Sequence, residues 1–349
     1  MTTTASGGDL ILVFDAGTQS IRAALIDLKG HIHHMVKTPI VPYFSHRPGW
    51  AEQEPAYFWD NLAATSRKLL GADGVHRDRI AGLTLTSQRN TVINLDRKGR
   101  PLRPAIVWLD QRKAAQTGRL SPFLRGVLKA INQYTLVEGA ERECKSNWIR
   151  QHQPEIWEKT AKFLLLSGFL TYKLTGAYRD SAGNMVGYLP FDYKRHQWAR
   201  GRDLKWKIFP MDKSVLPTLV KPSGLLGHVT RRAADETGIP EGLPVIAAAT
   251  DKACEVLGAG CRSPEIACLS YGTTATVNTA NPRYVEVQAF MPPYPSALPD
   301  FYNTEVMVYR GFWMVNWFKK EFGLREEQIA REREVPPESL FDELIGDIP

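Results

Sequence analysis

The sequence predicts an α/β fold built from two related halves, and three observations carry that prediction. Short apolar runs rich in leucine and β-branched residues, at residues 80–86 and 243–249, are typical of buried strands. A segment with helical apolar spacing, residues 57–70, lies between strand-like runs. A Gly-Thr turn follows an apolar strand both at residues 17–18 and at residues 272–273. A chain of 349 residues also exceeds the size at which one core stops growing, so two domains are expected.

The composition is that of an ordinary globular protein, with 43% hydrophobic and 23% charged residues. The net charge is +7, but the basic residues are spread along the chain, which favours a solvated surface over a nucleic-acid groove. The longest apolar stretches are too short to span a bilayer, and the amino-terminal residues lack the pattern of a signal peptide. We therefore expect no nucleic-acid or membrane partner and a cytoplasmic location.

The first predicted element is a hairpin over residues 10–27. Its turn, Gly17 to Ser20, is rich in hydrogen-bond donors, and the backbone N–H groups of such a turn can surround an anionic oxygen. Asp15 would repel a phosphate unless a divalent cation lay between them, so Asp15 is a candidate magnesium ligand. A third strand at residues 31–40 is expected to continue an antiparallel meander, and Pro55 is expected to begin a helix.

Polar residues follow two predicted strands at their carboxyl ends. The strand at residues 80–86 runs into Ser87, Gln88, Arg89 and Asn90, and a second strand at residues 105–109 delivers Asp110. Proteins of the α/β class place ligand contacts at such strand ends. The pattern predicts one polar substrate pocket, with solvated loops as the alternative.

A second core is predicted after a mainly helical region at residues 113–178. Its first strand, residues 243–249, presents Asp251, which is either a functional carboxylate or a helix N-cap. Residues 270–277 then repeat the strand and Gly-Thr pattern of the first hairpin. Duplication of such a turn implies two related domains that face each other across a nucleotide.

The chain resembles the FGGY carbohydrate kinases, a family that includes glycerol kinase, xylulokinase and ribulokinase. The motifs that carry the resemblance occur in order and at matching spacing: FDAGTQSIRA at 14–23, GWAEQEP at 49–55, TSQRNT at 86–91, VWLDQR at 107–112, PEIW at 154–157, LTYKLTG at 170–176, ATDKACEVLGAG at 249–260 and LSYGTTATV at 269–277. The resemblance implies an α/β, actin-like ATPase (ribonuclease H-like) fold with duplicated domains, residues 1–242 and residues 243–349, the second incomplete.

The resemblance also implies the chemistry: ATP-dependent phosphorylation of a sugar or polyol hydroxyl, with ATP and Mg²⁺ as cofactors. Asp251 matches the catalytic aspartate and would act as general base, and Asp15 would hold Mg²⁺ through water. The implied nucleotide and phosphate contacts are Gly17, Thr18, Gln19, Gly272, Thr273, Thr274 and Gly311. The implied substrate contacts are Gln88, Arg89, Asn90, Asp110 and Asp251.

Two departures from the family pattern narrow this interpretation. Asn90 stands where glycerol kinase has a glutamate and Asp110 resembles the aspartate of pentulose kinases, so a pentulose or polyol is favoured over glycerol. The resemblance fades after Gly323, and neither the Gly-rich adenine loop nor the FGGY signature follows. The alternative is therefore a truncated, non-catalytic sugar-binding or regulatory homologue. The oligomeric state stays open, a homodimer being one arrangement.

Overall fold

The computed structural model describes residues 8–116, 119–271, 275–308 and 311–346. Its strands are β1 Leu10–Ala16, β2 Ser20–Asp27, β3 Ile32–Pro39, β4 Glu52–Gln53, β5 Ile80–Ser87, β6 Val92–Leu95, β7 Ala105–Ile106, β8 Lys162–Leu165, β9 Arg179–Ser181, β10 Phe191–Asp192, β11 Gln197–Trp198, β12 Thr218–Val220, β13 Leu225–His228, β14 Pro244–Ala247, β15 Ala267–Tyr271, β16 Ala275–Asn281, β17 Tyr294–Pro295 and β18 Tyr302–Val308. Its α-helices are α1 Pro55–Leu70, α2 Pro122–Ala130, α3 Tyr134–Glu143, α4 Lys145–His152, α5 Pro154–Lys159, α6 Leu166–Thr175, α7 Lys205–Ile208, α8 Arg231–Thr237, α9 Asp251–Gly258, α10 Phe312–Phe322, α11 Leu324–Arg333 and α12 Pro337–Ile345. Short 3₁₀ turns lie at Arg77–Arg79, Ala182–Asn184 and Lys213–Val215.

A six-stranded sheet, which we call the first sheet, has the order β13, β14, β5, β1, β2, β3. Strands β1, β2 and β3 form the predicted antiparallel meander, β5 runs parallel to β1, and β14 runs parallel to β5. Alternate residues of β1 are buried, as strand geometry requires. Helix α1 begins at Pro55, as predicted, and packs on β2 and β3 with Phe58 and Leu62 buried.

A second hydrophobic core lies among helices and beside a small sheet of order β4, β7, β6, β8. The predicted helical region at residues 113–178 is confirmed as α2 to α6, interrupted by β8. Helix α6 ends at Gly176, whose left-handed φ of 72° suits glycine. The strand expected at residues 105–109 ends already at Ile106, because the chain turns there and the Asp110 N–H donates to the Val107 carbonyl.

A four-stranded antiparallel sheet, which we call the second sheet, has the order β15, β16, β18, β17. It confirms the predicted strands on either side of the second Gly-Thr turn, whereas Gly272, Thr273 and Thr274 themselves lie outside the described residues. Helix α9 precedes this sheet, and the Lys252 ammonium on α9 donates to the Ser270 hydroxyl on β15 over 3.0 Å.

The predicted domain boundary at 242/243 divides the first sheet. The boundary falls immediately before β14, and β14 pairs with β5 through Val245, Ile246 and Ala247. The division at 242/243 stays a prediction, and β14, on its carboxyl side, joins strands from its amino side in one sheet. Within the described ranges, no helix is both long and apolar enough to cross a bilayer.

Candidate active site

Three adjacent parallel strands of the first sheet deliver the predicted site residues to one edge. Asp15 lies at the end of β1, where it pairs with Thr86 of β5. Leu85 and Ala247 are register partners, and Arg89 and Asp251 each follow their member of this pair by the same number of residues. The carboxyl edge of a parallel sheet is where α/β proteins bind ligands. The topology therefore brings together residues that are remote in sequence.

The segment that carries Asp251 is fixed by hydrogen bonds to β5. The hydroxyls of Thr84 and Thr86 donate to the carbonyls of Ile246 and Ala249 over 2.9 and 2.8 Å. The chain then enters α9 with Thr250 as its N-cap, and Asp251 is the first helical residue. The sequence left an N-cap role for Asp251 open; the structure gives that role to Thr250.

The surroundings of the Asp251 carboxyl group change its pKa. Burial raises its pKa above that of a free aspartate, and nearby Asp15 raises the pKa further. Arg89 and the Lys252 N–H, which donates to Oδ1 over 2.7 Å, act in the opposite direction but do not cancel the effect of burial. A base with a raised pKa accepts a proton more readily than an exposed aspartate does.

Arg89 connects this edge to the second sheet. Its Nη2 donates to both oxygens of Glu305 on β18, at 3.3 and 3.5 Å, and its guanidinium lies 5.4 Å from the centre of the Tyr294 ring. Burial alone would lower the pKa of Arg89, but the carboxylates of Glu305 and Asp251 outweigh it and raise that pKa. Arg89 is thus held charged between the carboxylates of Glu305 on β18 and Asp251 on α9.

Gln88 is linked to Trp108 by hydrogen bonds through the Thr18 hydroxyl. Thr18 donates its hydroxyl to Gln88 Oε1 over 3.0 Å and accepts from the Trp108 indole N–H over 2.9 Å. Gln88 is 4% exposed, and its Nε2 has no partner among the described residues. A buried amide donor without a partner is costly, so a ligand hydroxyl is a suitable acceptor for it.

Asn90 adopts a left-handed conformation with φ of 55°, which asparagine tolerates better than most residues. Its side-chain oxygen lies against Gly187, where an added Cβ would approach it to 2.9 Å. Gly187 therefore leaves room for the Asn90 amide beside the site.

Asp110, a predicted substrate contact, is buried in the structure and paired with Arg112. Its side chain is 0% exposed. Each carboxylate oxygen accepts two hydrogen bonds: Oδ1 from the N–H and Nε of Arg112, and Oδ2 from Arg112 Nη2 and the Ala51 N–H. Arg112 also pairs with Glu52 and lies over the Trp50 ring at 3.9 Å. These contacts leave no acceptor position of Asp110 for a ligand.

Asp15 fits a magnesium ion. Its carboxylate accepts one hydrogen bond, from Arg22 over 2.6 Å, in an ion pair whose side chains are 44% and 28% exposed. Such a pair contributes little to stability, so it opens easily. Carboxylate oxygens are the protein ligands that Mg²⁺ prefers, with water completing its shell. The described part of the chain holds no cluster of three His, Cys, Asp or Glu side chains suited to a metal ion.

The first Gly-Thr turn is closed by the Gly17 N–H, which donates to the Ser20 carbonyl over 3.1 Å. A Cβ at Gly17 would lie 3.3 Å from that carbonyl oxygen, so the residue keeps the turn tight. The Gln19 carbonyl accepts from the Ile40 N–H. Gly311 lies at the start of α10 as its N-cap.

The sequence profile of the FGGY family of carbohydrate kinases, N-terminal domain, matches residues 10–258. That range covers well over half of the chain. The chain belongs to the FGGY family of carbohydrate kinases. Among curated relatives, a xylulose kinase of Staphylococcus epidermidis is 26% identical over 315 residues, which are 90% of this chain and 62% of the relative. A glycerol kinase of Alkalilimnicola ehrlichii is 30% identical over 276 residues, 76% of this chain and 53% of the relative.

Solved structures of FGGY kinases share the fold. The crystal structure of xylulose kinase from Rhodospirillum rubrum superposes with a TM-score of 0.79 at 23% identity and covers 97% of this chain and 67% of that one. Plasmodium falciparum glycerol kinase with ADP gives 0.68 at 22% identity, over 89% and 63% of the two chains. The predicted actin-like ATPase fold is confirmed. The chain spans about 62% of the length of the xylulose kinase relatives that it matches.

Two residues of this FGGY site were missed by the sequence reasoning. Trp108 lies inside the VWLDQR motif and contacts Thr18, so its place next to Asp110 was a usable signal. Glu305 carries no local signal, since it lies in an ordinary strand and meets Arg89 only through the fold.

Proposed function

We propose that this chain carries the sugar-binding and catalytic part of an ATP-dependent carbohydrate kinase of the pentulose or polyol type. The observation that carries the proposal is the convergence of Asp15, Arg89 and Asp251 at the ends of three neighbouring strands, with burial raising the pKa of Asp251. Membership of the FGGY family supports the reaction class. Such a kinase would draw on the ATP of the cytoplasm.

In the proposed reaction, a substrate hydroxyl oxygen attacks the γ-phosphorus of ATP. The Asp251 carboxylate accepts the hydroxyl proton as the new P–O bond forms, and the bond from the γ-phosphorus to the bridging oxygen breaks to release ADP. Bound Mg²⁺, held by Asp15 through water, would neutralise charge on the phosphates. General-base catalysis typically contributes about 10²- to 10⁴-fold, so positioning has to supply much of the remaining acceleration.

Gln88, Arg89 and Asn90 would hold the substrate. The free Nε2 of Gln88 and the guanidinium of Arg89 are donors, and the Asn90 amide offers both a donor and an acceptor. A polyhydroxylated substrate satisfies such a set, whereas an analogue without one of the hydroxyls leaves a buried group unpaired. Trp108 would form one wall through its half-exposed ring.

The turn at Gly17, Thr18 and Gln19 would contact the phosphates through its backbone. The matching turn at Gly272, Thr273 and Thr274 and the start of α10 at Gly311 complete the proposed nucleotide site. The two Gly-Thr turns follow hairpin strands of the same arrangement in the two sheets, β1 with β2 and β15 with β16.

Release of ADP tests this proposal in a coupled assay over pentuloses, hexuloses, polyols and glycerol. We expect turnover with a pentulose or polyol and a loss of at least about 10²-fold in Asp251→Asn. Asp235→Asn is the matched control, because Asp235 is an exposed carboxylate on α8 that pairs with the exposed Arg231. Equal turnover in Asp251→Asn and wild type would contradict the assignment.

The pH dependence of kcat/KM supplies an independent check. Asp251 acts only when ionised, and its pKa is raised, so activity should fall on the acid side at a higher pH than an ordinary aspartate would give. An acid limb at the pKa of a free aspartate, near 3.8, would contradict the burial effect.

A non-catalytic sugar-binding protein is the second candidate, favoured by one observation. The second sheet exposes an apolar face, with Leu269, Val277 and Val306 between 44% and 60% exposed. An exposed apolar row of this kind is typical of an interaction surface, which suits a binding or regulatory protein. Calorimetry that shows sugar binding without ADP release by the same preparation would select this candidate.

A further inference from the structure

Glu305 on β18 of the second sheet forms an ion pair with Arg89, which follows β5 of the first sheet. The side chains of Arg89 and Glu305 are 20% and 11% exposed, so the pair lies mostly out of water. An ion pair in such surroundings is costly to break, because the charge that remains is left without compensation. The pair therefore constrains where the Arg89 guanidinium lies.

The hydrogen bonds to Glu305 use only one nitrogen of the Arg89 guanidinium. Nη2 donates to Oε1 and Oε2 over 3.3 and 3.5 Å. Within the described ranges, neither Nε nor Nη1 donates to another group of the chain. The N–H donors on these two nitrogens therefore stay available to a ligand.

Tyr294 on β17 contacts both members of the ion pair. Its ring centre lies 5.4 Å from the Arg89 guanidinium carbon, and its hydroxyl lies 3.4 Å from Glu305 Oε2. The same hydroxyl donates to Asn278 Oδ1 on β16 over 2.8 Å. Strands β16, β18 and β17 are neighbours in the second sheet, so Glu305 is held by contacts within that sheet.

Asp251 is the other carboxylate whose charge acts on Arg89. Its Oδ1 accepts the Lys252 N–H over 2.7 Å, and its Oδ2 accepts no hydrogen bond from the part of the chain that the structure describes. A mostly buried guanidinium needs a compensating charge, so without Glu305 it would pair with Asp251. Asp251 oxygens that are held by Arg89 would not be free to accept a proton from a substrate.

We propose that Glu305 is a positioning residue. It holds Nη2 of Arg89 at the second sheet, so that Nε and Nη1 bind the acceptor sugar or polyol and Asp251 stays unpaired as the base. This inference rests on the proposed function. The acceptor site then depends on the contact between the first and second sheets, because Arg89 follows a strand of one and Glu305 belongs to the other.

Steady-state kinetics of Glu305→Gln test this role, with D-xylulose and D-arabitol as acceptors. The substitution keeps the shape of the side chain and removes its charge. We expect kcat/KM for the acceptor to fall at least about tenfold, the worth of a hydrogen bond to a charged group. The KM for ATP should change less than about twofold, because Glu305 bonds to Arg89 and Tyr294 and to no residue assigned to the nucleotide. An equal rise in both KM values would mean that Glu305 only joins the two sheets, and would overturn the inference.

A double variant tests whether Glu305 acts through Arg89. In Arg89→Gln, the further change Glu305→Gln should alter kcat/KM for the acceptor by less than about twofold, because no guanidinium is left to hold. The double variant leaves no unpaired charge at this position, so this comparison is available even if Glu305→Gln alone fails to fold. A further loss of about tenfold in the double variant would contradict a role through Arg89.

Two further variants act as matched controls. Glu305→Asp keeps the charge and should retain more acceptor activity than Glu305→Gln. Asp300→Asn removes the ion pair with Lys221, which also joins the chain just before β18 to the segment before β13, but whose side chains are 64% and 68% exposed. It should leave both KM values unchanged, because an exposed pair contributes little. Equal losses in Glu305→Asp and Glu305→Gln would contradict a role for the charge.

The outcomes separate this inference from the function on which it rests. If the wild type phosphorylates either acceptor and Glu305→Gln has the same acceptor KM, the inference is wrong and the kinase proposal stands. If the wild type binds D-xylulose without releasing ADP, the kinase proposal fails, and calorimetry then has to show an increase of at least about tenfold in the dissociation constant of Glu305→Gln for the inference to stand. If the wild type neither binds nor phosphorylates any of the acceptors, both proposals are wrong.

Discussion

The first and second sheets share the same arrangement of three antiparallel strands but differ in what packs against those strands. Both contain a hairpin followed by a third antiparallel strand beside its second strand: β1, β2, β3 in one and β15, β16, β18 in the other. In the first sheet, β5 pairs with β1 and α1 covers β2 and β3. In the second sheet, β15 pairs with β16 alone among the described strands.

The difference in covering layers is visible in the exposure of one leucine from the first strand of each hairpin. Leu12 in β1 is 0% exposed, whereas Leu269 in β15 is 52% exposed. Leu269 faces Val277, which faces Val306, so these apolar side chains form one row across the second sheet. Apolar strands of the same kind are thus buried or exposed according to the layers packed on them. An exposed row of this size is typical of an interaction surface.

The largest expected effect comes from truncating one leucine in each sheet. Leu12→Ala should lower the free energy of unfolding by about 3 to 5 kcal/mol, because it leaves a cavity in a packed core. Leu269→Ala should change it by less than about 0.5 kcal/mol, because that side chain is largely hydrated already. Urea unfolding followed by circular dichroism measures both. A similar loss in the two variants would show that the second sheet is covered in solution.

The next largest effect is a change in the free energy of unfolding with pH, and it comes from Asp180 of β9. Burial raises its pKa to about 6, although Ser167 and Asn184 donate to its carboxylate over 2.7 and 2.8 Å. The folded state therefore holds this proton more tightly than the unfolded state. The resulting stability is full below pH 3.8 and is lost as pH rises through about 6, a change of about 3 kcal/mol.

The free energies of unfolding at pH 4 and pH 7 test that effect. Asp180→Asn should make the difference between the two values about 3 kcal/mol smaller than in wild type. Asp300→Asn is the contrast on the side of the second sheet. A hydrogen bond from Lys221 lowers the pKa of Asp300, so its small stability contribution is present above pH 3.8 and is lost on acidification. An unchanged pH profile in Asp180→Asn would contradict the burial argument.

The last variant is expected to change self-association, with the smallest change in stability of the three. Val306→Lys places a charge in the exposed row of the second sheet and should reduce concentration-dependent association several-fold, with little effect on stability. Met35→Lys is the matched control, because Met35 is 57% exposed on β3 of the first sheet and belongs to no such row. Sedimentation velocity at rising protein concentration measures the effect. Equal behaviour of the two variants would mean that the row is not an association surface.

Much of the fold follows from local pattern. Alternating burial in β1, the Pro55 start of α1 and the Gly176 end of α6 were predictable because strand period, proline geometry and left-handed glycine act over a few residues. The edge that carries Asp15, Arg89 and Asp251 was predictable for the same reason, since each follows an apolar strand. The pairing of β14 with β5 was not predictable, because it joins segments far apart in the sequence.

The candidate site also combines features that follow from local sequence with features that depend on long-range packing. Gln88, Asp251 and Asp110 were all predicted as site residues from their positions after strands, and the structure buries Asp110 against Arg112. Strand position cannot distinguish an acid that faces a cleft from one that faces a cationic partner inside the core. That choice depends on where Arg112, Glu52 and Trp50 pack.

By itself the sequence determined most of the strands, helix ends and turns around the site, and with them the family. Only the tertiary structure decided which side chains meet across long separations. Arg89 and Glu305 lie 216 positions apart, and their pairing depends on how the two sheets are placed. Local periodicity encodes which face of a strand is apolar, but the layer that covers that face comes from elsewhere in the fold. For this reason Leu12 is buried and Leu269 is not.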